Sequence, residues 1–386
     1  MKITSWYSEN FEHNLSGRYI TLKHINPLLK KYKRQFEIST IGTSEMGKEI
    51  PLLKIGTGKK TILAWSQMHG NESTTTKAIF DLLKFFSQKE LFQDEINNFL
   101  KNNTLCLIPI LNPDGAVLYT RKNANSVDLN RDAKDLSQKE SQILMNVFHK
   151  VQPDLCLNLH GQRTIFGLEN QKPASISFLS PASNKERTVT SSRKVALNKI
   201  IKMANVLEKF IPGQIGRYDD SFNDNCFGDC FQMKDTPVIL FEAGHIANDY
   251  QREKTREYVF YALLSVLGII NLQQENSYND YFSIPENKKN YWDVIIRNVR
   301  LTEAGQPTSI AIQFSEMLEN EKIKFIPLIS ELGALKDKFG HKEIVGKGEV
   351  VLLNSQEKIE IEVKVLEIVN KNDNTLVYFN ENNFLF

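Results

Sequence analysis

Apolar positions along the chain switch period several times, and the switches mark out alternating helices and strands. Between Thr21 and Arg34 the apolar residues Leu22, Ile25, Leu28, Leu29 and Tyr32 recur at helical spacing. Phe36 to Ile41 and Ile50 to Ile55 read as two strands around the turn from Thr43 to Lys48, and Thr61 to Trp65 as a third. Ser73 to Phe86 returns to the helical period, with Ala78, Ile79, Leu82, Leu83 and Phe86 on one face. Strand-like runs follow at Leu105 to Leu111 and Leu155 to Leu159, with a helix near Glu140 to Val151 between them. Val238 to Phe241 is another apolar run, and a long helix spans about Gln251 to Leu267. Alternation of this kind predicts an α/β domain with a mixed, largely parallel sheet and helices on both faces.

The pattern changes after Tyr281. The polar stretch from Ile284 to Asn290 reads as a linker. Beyond it, Val294 to Leu301, Ser309 to Phe314, Lys322 to Ile329, Glu349 to Leu353, Lys358 to Ile368 and Thr375 to Phe379 are short, alternating and rich in β-branched residues. They predict a small all-β domain over residues 284–386, following a catalytic domain over 1–283. That second domain carries no catalytic motif, and its His341, in a charged turn, is expected to be a solvated loop histidine.

Composition narrows the function classes. The 386 residues include 41% hydrophobic and 24% charged ones, enough apolar material for a large core, which excludes a disordered chain. Lys and Arg number 48 against 46 Asp and Glu, a formal charge of +2, so no basic excess points to a nucleic-acid partner. The longest apolar run, Tyr258 to Ile270, is 13 residues. A membrane-spanning helix needs roughly 20, so no membrane partner is expected. Met1 to Asn10 has no continuous apolar core of a secretory signal, and Cys106 and Cys156 sit in apolar, strand-like runs rather than a disulfide framework. A cytoplasmic location is the expectation.

Five polar clusters follow apolar runs, and in open α/β sheets the ligand crevice lies beyond the carboxyl ends of strands. In Met68-His69-Gly70-Asn71-Glu72 a histidine and a glutamate three apart can face one way, as zinc ligands or as part of a helix cap. Asn112-Pro113-Asp114-Gly115 has the composition of a β-turn. Arg121 to Asp132 gathers Arg121, Asn130 and Arg131, which could clamp a carboxylate or form a solvated charged loop. His160 stands at the end of a buried strand, where a satisfied core histidine is the commoner case. In Val238-Ile239-Leu240-Phe241-Glu242 an apolar strand delivers a glutamate, placed for general base work or for capping the next helix.

Taken in order, these clusters resemble the zinc carboxypeptidase family of carboxypeptidase A/B-like metallopeptidases. His-x-x-Glu, Asn-Pro-Asp-Gly, an arginine, Asp-x-Asn-Arg, a strand-end histidine and a strand-end glutamate occur in the family's sequence. The stretch Ile41 to Ile50 resembles its N-terminal hairpin, and the likeness runs from about Gly17 to Leu267. It implies one Zn2+ per chain, held by His69, Glu72 and His160 with the fourth position open to water. It also implies Glu242 as general base, Arg121 as stabiliser of the oxyanion, and Asn130 and Arg131 as holders of the substrate's terminal carboxylate. Asp128 would orient His69.

The chain departs from the family at several points. Digestive members carry an arginine where Asn71 stands, and Gly161-Gln162 replaces a frequent Ser-Tyr. Tyr218 is the only candidate between Arg217 and Asp229 for the tyrosine that closes over substrate. Asp219, Asp220, Asp224 and Asp229 lie in the same stretch, read either as a pocket for an amine-bearing or diamino acid terminus, cell-wall peptides included, or as turn formers. Cys226 and Cys230 form an isolated pair with only His245 as a nearby further ligand. The expected substrate is a peptide or small amide. The rival readings are an N-acyl amino acid deacylase on the same zinc site and a catalytically dead peptide-binding relative.

Overall fold

The computed structural model describes residues 2–272, 276–356, 358–373 and 377–380. In the first part, the strands are β1 (Glu37–Thr43), β2 (Glu49–Ile55), β3 (Lys60–Ser66), β4 (Asn103–Ile108), β5 (Leu155–Gly161), β6 (Phe166–Gly167), β7 (Ile176–Leu179), β8 (Ile215–Arg217) and β9 (Val238–Ala243). The helices are α1 (Lys2–Asn10), α2 (Leu22–Tyr32), α3 (Thr74–Ser87), α4 (Gln93–Asn102), α5 (Pro113–Leu118), α6 (Lys139–Val151), α7 (Ser191–Leu207), α8 (Phe227–Met233) and α9 (Glu253–Val266). One sheet runs β1-β2-β4-β3-β5-β9-β7-β8. Its centre, β4-β3-β5-β9, is parallel, and antiparallel pairs flank it, which is the mixed α/β sheet expected from the sequence.

Strand alternation divides the core between the two faces. Ile62, Ala64, Leu157, Leu159, Ile239 and Phe241 pack with α1, α2, α3, α7 and α9. Leu63, Trp65, Cys156 and Val238 pack with α6 and α8 through Leu144, Phe148, Phe227 and Phe231. Each fully buried side chain of this kind stabilises by roughly 1.5–3 kcal/mol. By the same alternation, Asn158 and His160 on β5, and Leu240 and Glu242 on β9, lie on the α6/α8 face. The strand expected to reach Leu111 stops at Ile108. Pro109 supplies no N–H to a ladder, and the chain turns so that Leu111 and Asn112 donate to the carbonyls of Ser66 and Gln67 instead.

The stretch expected to be a linker is docked. Arg217 N donates to Pro285 O at 2.8 Å, Asn287 N donates to Arg217 O at 2.9 Å, and β10 (Lys288–Lys289) pairs with β6. Beyond it lie β11 (Tyr291–Val299), β12 (Thr308–Glu319), β13 (Lys322–Gly333), β14 (Phe339–Val345), β15 (Val351–Leu353), β16 (Glu367–Asn370) and β17 (Val377–Asn380). They form a sheet β13-β12-β11-β14 and a smaller one, β15-β16-β17. The expected strand over Lys358 to Ile368 is restricted to the start of β16, and part of the expected strand from Thr375 lies outside the described residues. His341 is not solvated. Its Nε2 lies 2.8 Å from Thr164 O and its ring meets that of His245 at 4.4 Å, because β14 packs against the α/β part.

Candidate active site

Parallel pairing places the ends of β3, β5 and β9 side by side. Ser66 is opposite Leu159, and His160 is opposite Glu242. His69 and Glu72 sit in the loop between β3 and α3, so both drop onto the end of β5. His69 Nδ1 lies 2.8 Å from Glu72 Oε1 and 3.1 Å from His160 Nδ1, and His160 Nδ1 lies 3.0 Å from Glu72 Oε2. Two imidazole nitrogens and a carboxylate thus converge on one point. Ligand bonds of about 2.0–2.2 Å in a tetrahedral zinc site put the donor atoms about 3.3 Å apart, so this donor set fits zinc. Among the described residues it is the one group of three or more histidine, cysteine or acidic side chains so placed. Cys226 and Cys230 do not join such a group.

The neighbours set the protonation of the trio. Asp128 Oδ1 lies 3.1 Å from His69 Nε2, so an N–H there leaves the Nδ1 lone pair facing Glu72 and His160. Burial acts to lower the pKa of His69, but Glu72 and Asp128 outweigh it and raise it. Burial acts to raise Glu72 and Asp128, yet His69 with His160, and His69 with Arg121, hold them well below the usual carboxylate range. Glu242 goes the other way: burial, and then the nearby Glu72 charge, push it well above that range. Its Oε2 has no hydrogen-bond partner among the described residues.

The Asn-Pro-Asp-Gly stretch is a brace rather than a plain turn. Asn112 Oδ1 accepts from Gly115 N at 2.8 Å, capping α5, while its Nδ2 donates to Met68 O at 3.2 Å, next to His69. Asp114 accepts from Lys48 Nζ and Met46 N, tying the β1–β2 hairpin to the same corner. A Cβ on Gly70 would lie 2.0 Å from the carbonyl carbon of Gly115, so the two loops meet backbone to backbone and only glycine fits.

Arg121 Nε donates to Asp128 Oδ2 at 2.9 Å, and one terminal nitrogen lies 3.2 Å from His69 Nδ1 and 3.5 Å from Glu72 Oε1. Asn130 spends its Oδ1 on Phe227 N at 3.1 Å, which leaves its amide N–H groups for a ligand. Arg131 donates to Asn130 O at 2.7 Å and Cys226 Sγ at 3.1 Å, and has no carboxylate partner among the described residues. These residues, the trio, Glu242 and Tyr218 line one cleft of about 790 Å³. Burial, followed by Glu242, pushes the Tyr218 hydroxyl up to about 12.

The four aspartates do not converge. Asp224 points out to Lys134 at 3.1 Å, and Asp220 pairs with Arg187 and Arg193. Asp219 accepts from Ser221 at the rim. Asp229 alone lies deep, where burial pushes it up to about 7. Beside it stands a residue that sequence patterning passed over. Asn158 is fully buried on β5, lines the cleft, and has no partner for either amide atom among the described residues. A polar residue inside an otherwise apolar strand, two before His160 and therefore on its face, was the available signal.

A profile of the family described as zinc carboxypeptidase matches residues 21–224. Carboxypeptidase SOL1 of Arabidopsis thaliana is 27% identical over 167 residues, which cover 38% of this chain and 34% of that protein. The match therefore spans about a third of that relative. Carboxypeptidase 2 of Trichophyton rubrum is 23% identical over 127 residues, covering 30% and 23% respectively. The solved metallo-carboxypeptidase of Burkholderia cenocepacia shares the fold with a TM-score of 0.53 at 15% identity, over 64% of this chain and 68% of that one.

Proposed function

The chain belongs to the zinc carboxypeptidase family, and on that premise we propose that it hydrolyses the amide bond next to a free C-terminal carboxylate. The observation that carries this reading is the convergence of His69, Glu72 and His160 at 2.8–3.1 Å beside Glu242. His69, Glu72 and His160 would hold the zinc ion, which would supply a Lewis acid for the scissile carbonyl and an acidified water. Glu242 takes the proton of the attacking water and hands it to the leaving amine. A general base works best with a pKa near the working pH, and burial moves Glu242 in that direction. Arg121 borders the same point and stabilises the negative charge that develops on the carbonyl oxygen. Asp128 orients both His69 and Arg121.

Asn130 and Arg131 hold the terminal carboxylate, and their free donors on the α6/α8 face support that role. The terminal side chain then descends between β5 and β9. Asn158 sits one pleat below His160, about 6.6 Å along the strand, so a chain of four or five bonds reaches Asn158 and Asp229. An amine-bearing end fits that floor, and Tyr218 closes over it. The test is a peptide library with the zinc-loaded protein. Stepwise release of single C-terminal residues, with lysine-like ends preferred to aromatic ones, is expected. Release of acyl groups alone would replace the reading with a deacylase. No bound zinc and no turnover would leave a binding protein.

A further inference from the structure

Beyond His160 and Glu242 the cleft continues to Arg18, Arg163, Arg252, Lys289 and Glu316, so four cations face one carboxylate. Resting on the carboxypeptidase reading, we propose that this end is an anion subsite that takes a carboxylate on the residue preceding the scissile amide. The four basic residues and Glu316 all lie outside the zinc trio, and Arg18, Arg252, Lys289 and Glu316 lie outside the span that matches the family.

Glu316 cannot neutralise this end of the cleft. It is occupied by Arg18 at 3.0 Å and by the Tyr119 hydroxyl at 2.5 Å. Two other carboxylates in the neighbourhood are spent elsewhere: Asp249 accepts from Glu253 N and from Thr255 at the start of α9, and Asp293 accepts from the Tyr250 hydroxyl, Phe314 N and the Thr164 hydroxyl. Arg252 is 1% exposed and has no carboxylate partner among the described residues. It donates to the carbonyls of Ala243 and Gln162, both at 3.1 Å, and its Nε makes no hydrogen bond among the described residues. It also holds a left-handed backbone, φ 59°, which a non-glycine residue adopts only when its surroundings enforce it. A buried guanidinium with no counter-ion is costly to keep. An anionic ligand removes that cost.

Arg163 and Lys289 stand at the rim of the same end. Both are exposed and neither has an ion-pair partner among the described residues. The β6–β10 pairing, with Lys289 opposite Phe166, fixes the strand that carries Lys289 against the loop that follows His160. Direction follows from the two faces of the sheet. Asn130 and Arg131 meet α8 on one face, whereas Arg252 opens α9 and Arg18 leads into Ile20 on the other. A substrate whose terminal carboxylate is on the first face and whose amide is at the trio carries its acyl part toward Arg252. Its preceding residue is therefore acidic.

The experiment compares two peptides that differ only in Glu or Gln before the released residue, with wild type and with the rim variant Arg163→Ala/Lys289→Ala. Wild type is expected to favour Glu by about tenfold in kcat/KM, the worth of one charge-assisted contact. The variant should cut that ratio to about threefold or less, and added salt should lower it in wild type. A ratio near one in wild type, or one unchanged in the variant, overturns the subsite. If neither peptide is hydrolysed, the carboxypeptidase reading fails. The subsite is then judged by calorimetric titration of the same peptides. Tighter binding of the Glu peptide, lost in the variant, supports it, and equal binding refutes it.

Discussion

At the residue scale, desolvation raises the pKa of both Glu242, half-buried at the end of β9, and Asp229, and their surroundings give them different work. Glu242 faces the trio. Replacing it by Gln keeps its shape and the four-residue constellation, so zinc content should stay as in wild type while turnover falls at least about 10²-fold. Zinc analysis together with single-turnover assays checks this, and a variant retaining more than a tenth of wild-type turnover refutes Glu242 as the base. Burial pushes the Asp229 carboxyl up to about 7. A lysine-like amine, with a pKa near 10.4, stays charged across that range. Raising the pH through about 7 therefore ionises Asp229 against a fixed cation. The ratio of kcat/KM for Lys-ended over Gln-ended peptides should rise between about pH 6 and 8, and Asp229→Asn should flatten the rise. Taking a ratio cancels groups common to both substrates. A flat wild-type ratio would remove Asp229 from recognition.

At the element scale, the site was legible where strand periodicity ends in a polar cluster. His160 and Glu242 were readable because short, mostly apolar strands deliver them: Leu155 to Leu159, broken only by Asn158, and Val238 to Phe241. The role of Asn112 was not, because Asn-Pro-Asp-Gly looks the same as a turn or as a cap, and only the contact with Met68 O separates them. The choice between an acidic pocket and turn formers was left open for a related reason: spacing along a loop says nothing about which way each aspartate points, and Arg187, Arg193 and Lys134 draw two of the four away. Helix α7 was passed over although Ala196, Leu197, Ile200, Ile201, Ala204 and Leu207 recur at helical spacing and are buried, so its stripe was present in the pattern. The brace yields its own prediction. Asn112→Ala loses the cap and leaves Met68 O unpaired, costing about 1–2 kcal/mol of stability. It should also loosen the His69 loop and weaken zinc retention about tenfold in competition with a chelator. Unchanged retention would make the motif a helix cap only.

At the scale of the whole molecule, a small β domain appended by a linker would move independently of the catalytic sheet, and the contacts argue against that. The 284–290 segment is hydrogen-bonded to β8 and β6. Tyr250 reaches Asp293 at 3.0 Å, and Glu316 on β12 meets Arg18 and Tyr119 beside the cleft. Burial acts to raise the Glu316 pKa, but Arg18 and Tyr119 hold it below the ordinary value. A carboxyl depressed on folding stabilises fully above about pH 4.3 and loses that contribution as the pH falls through its folded value. Glu316→Gln leaves Arg18 buried and unpaired, and should cost about 3 kcal/mol and several degrees of melting temperature near neutral pH. The loss should shrink on acidification, since wild type then loses the same charge. Arg18→Met combined with Glu316→Gln should recover part of it, because Arg18 is then no longer left as an unpaired charge. Calorimetry of the intact chain should show one transition, since unfolding either part strands these partners in the other. Two separated transitions, with the lower one alone shifted by Glu316→Gln, would make the β domain an independent unit and leave the end of the cleft that holds Lys289 and Glu316 free to open.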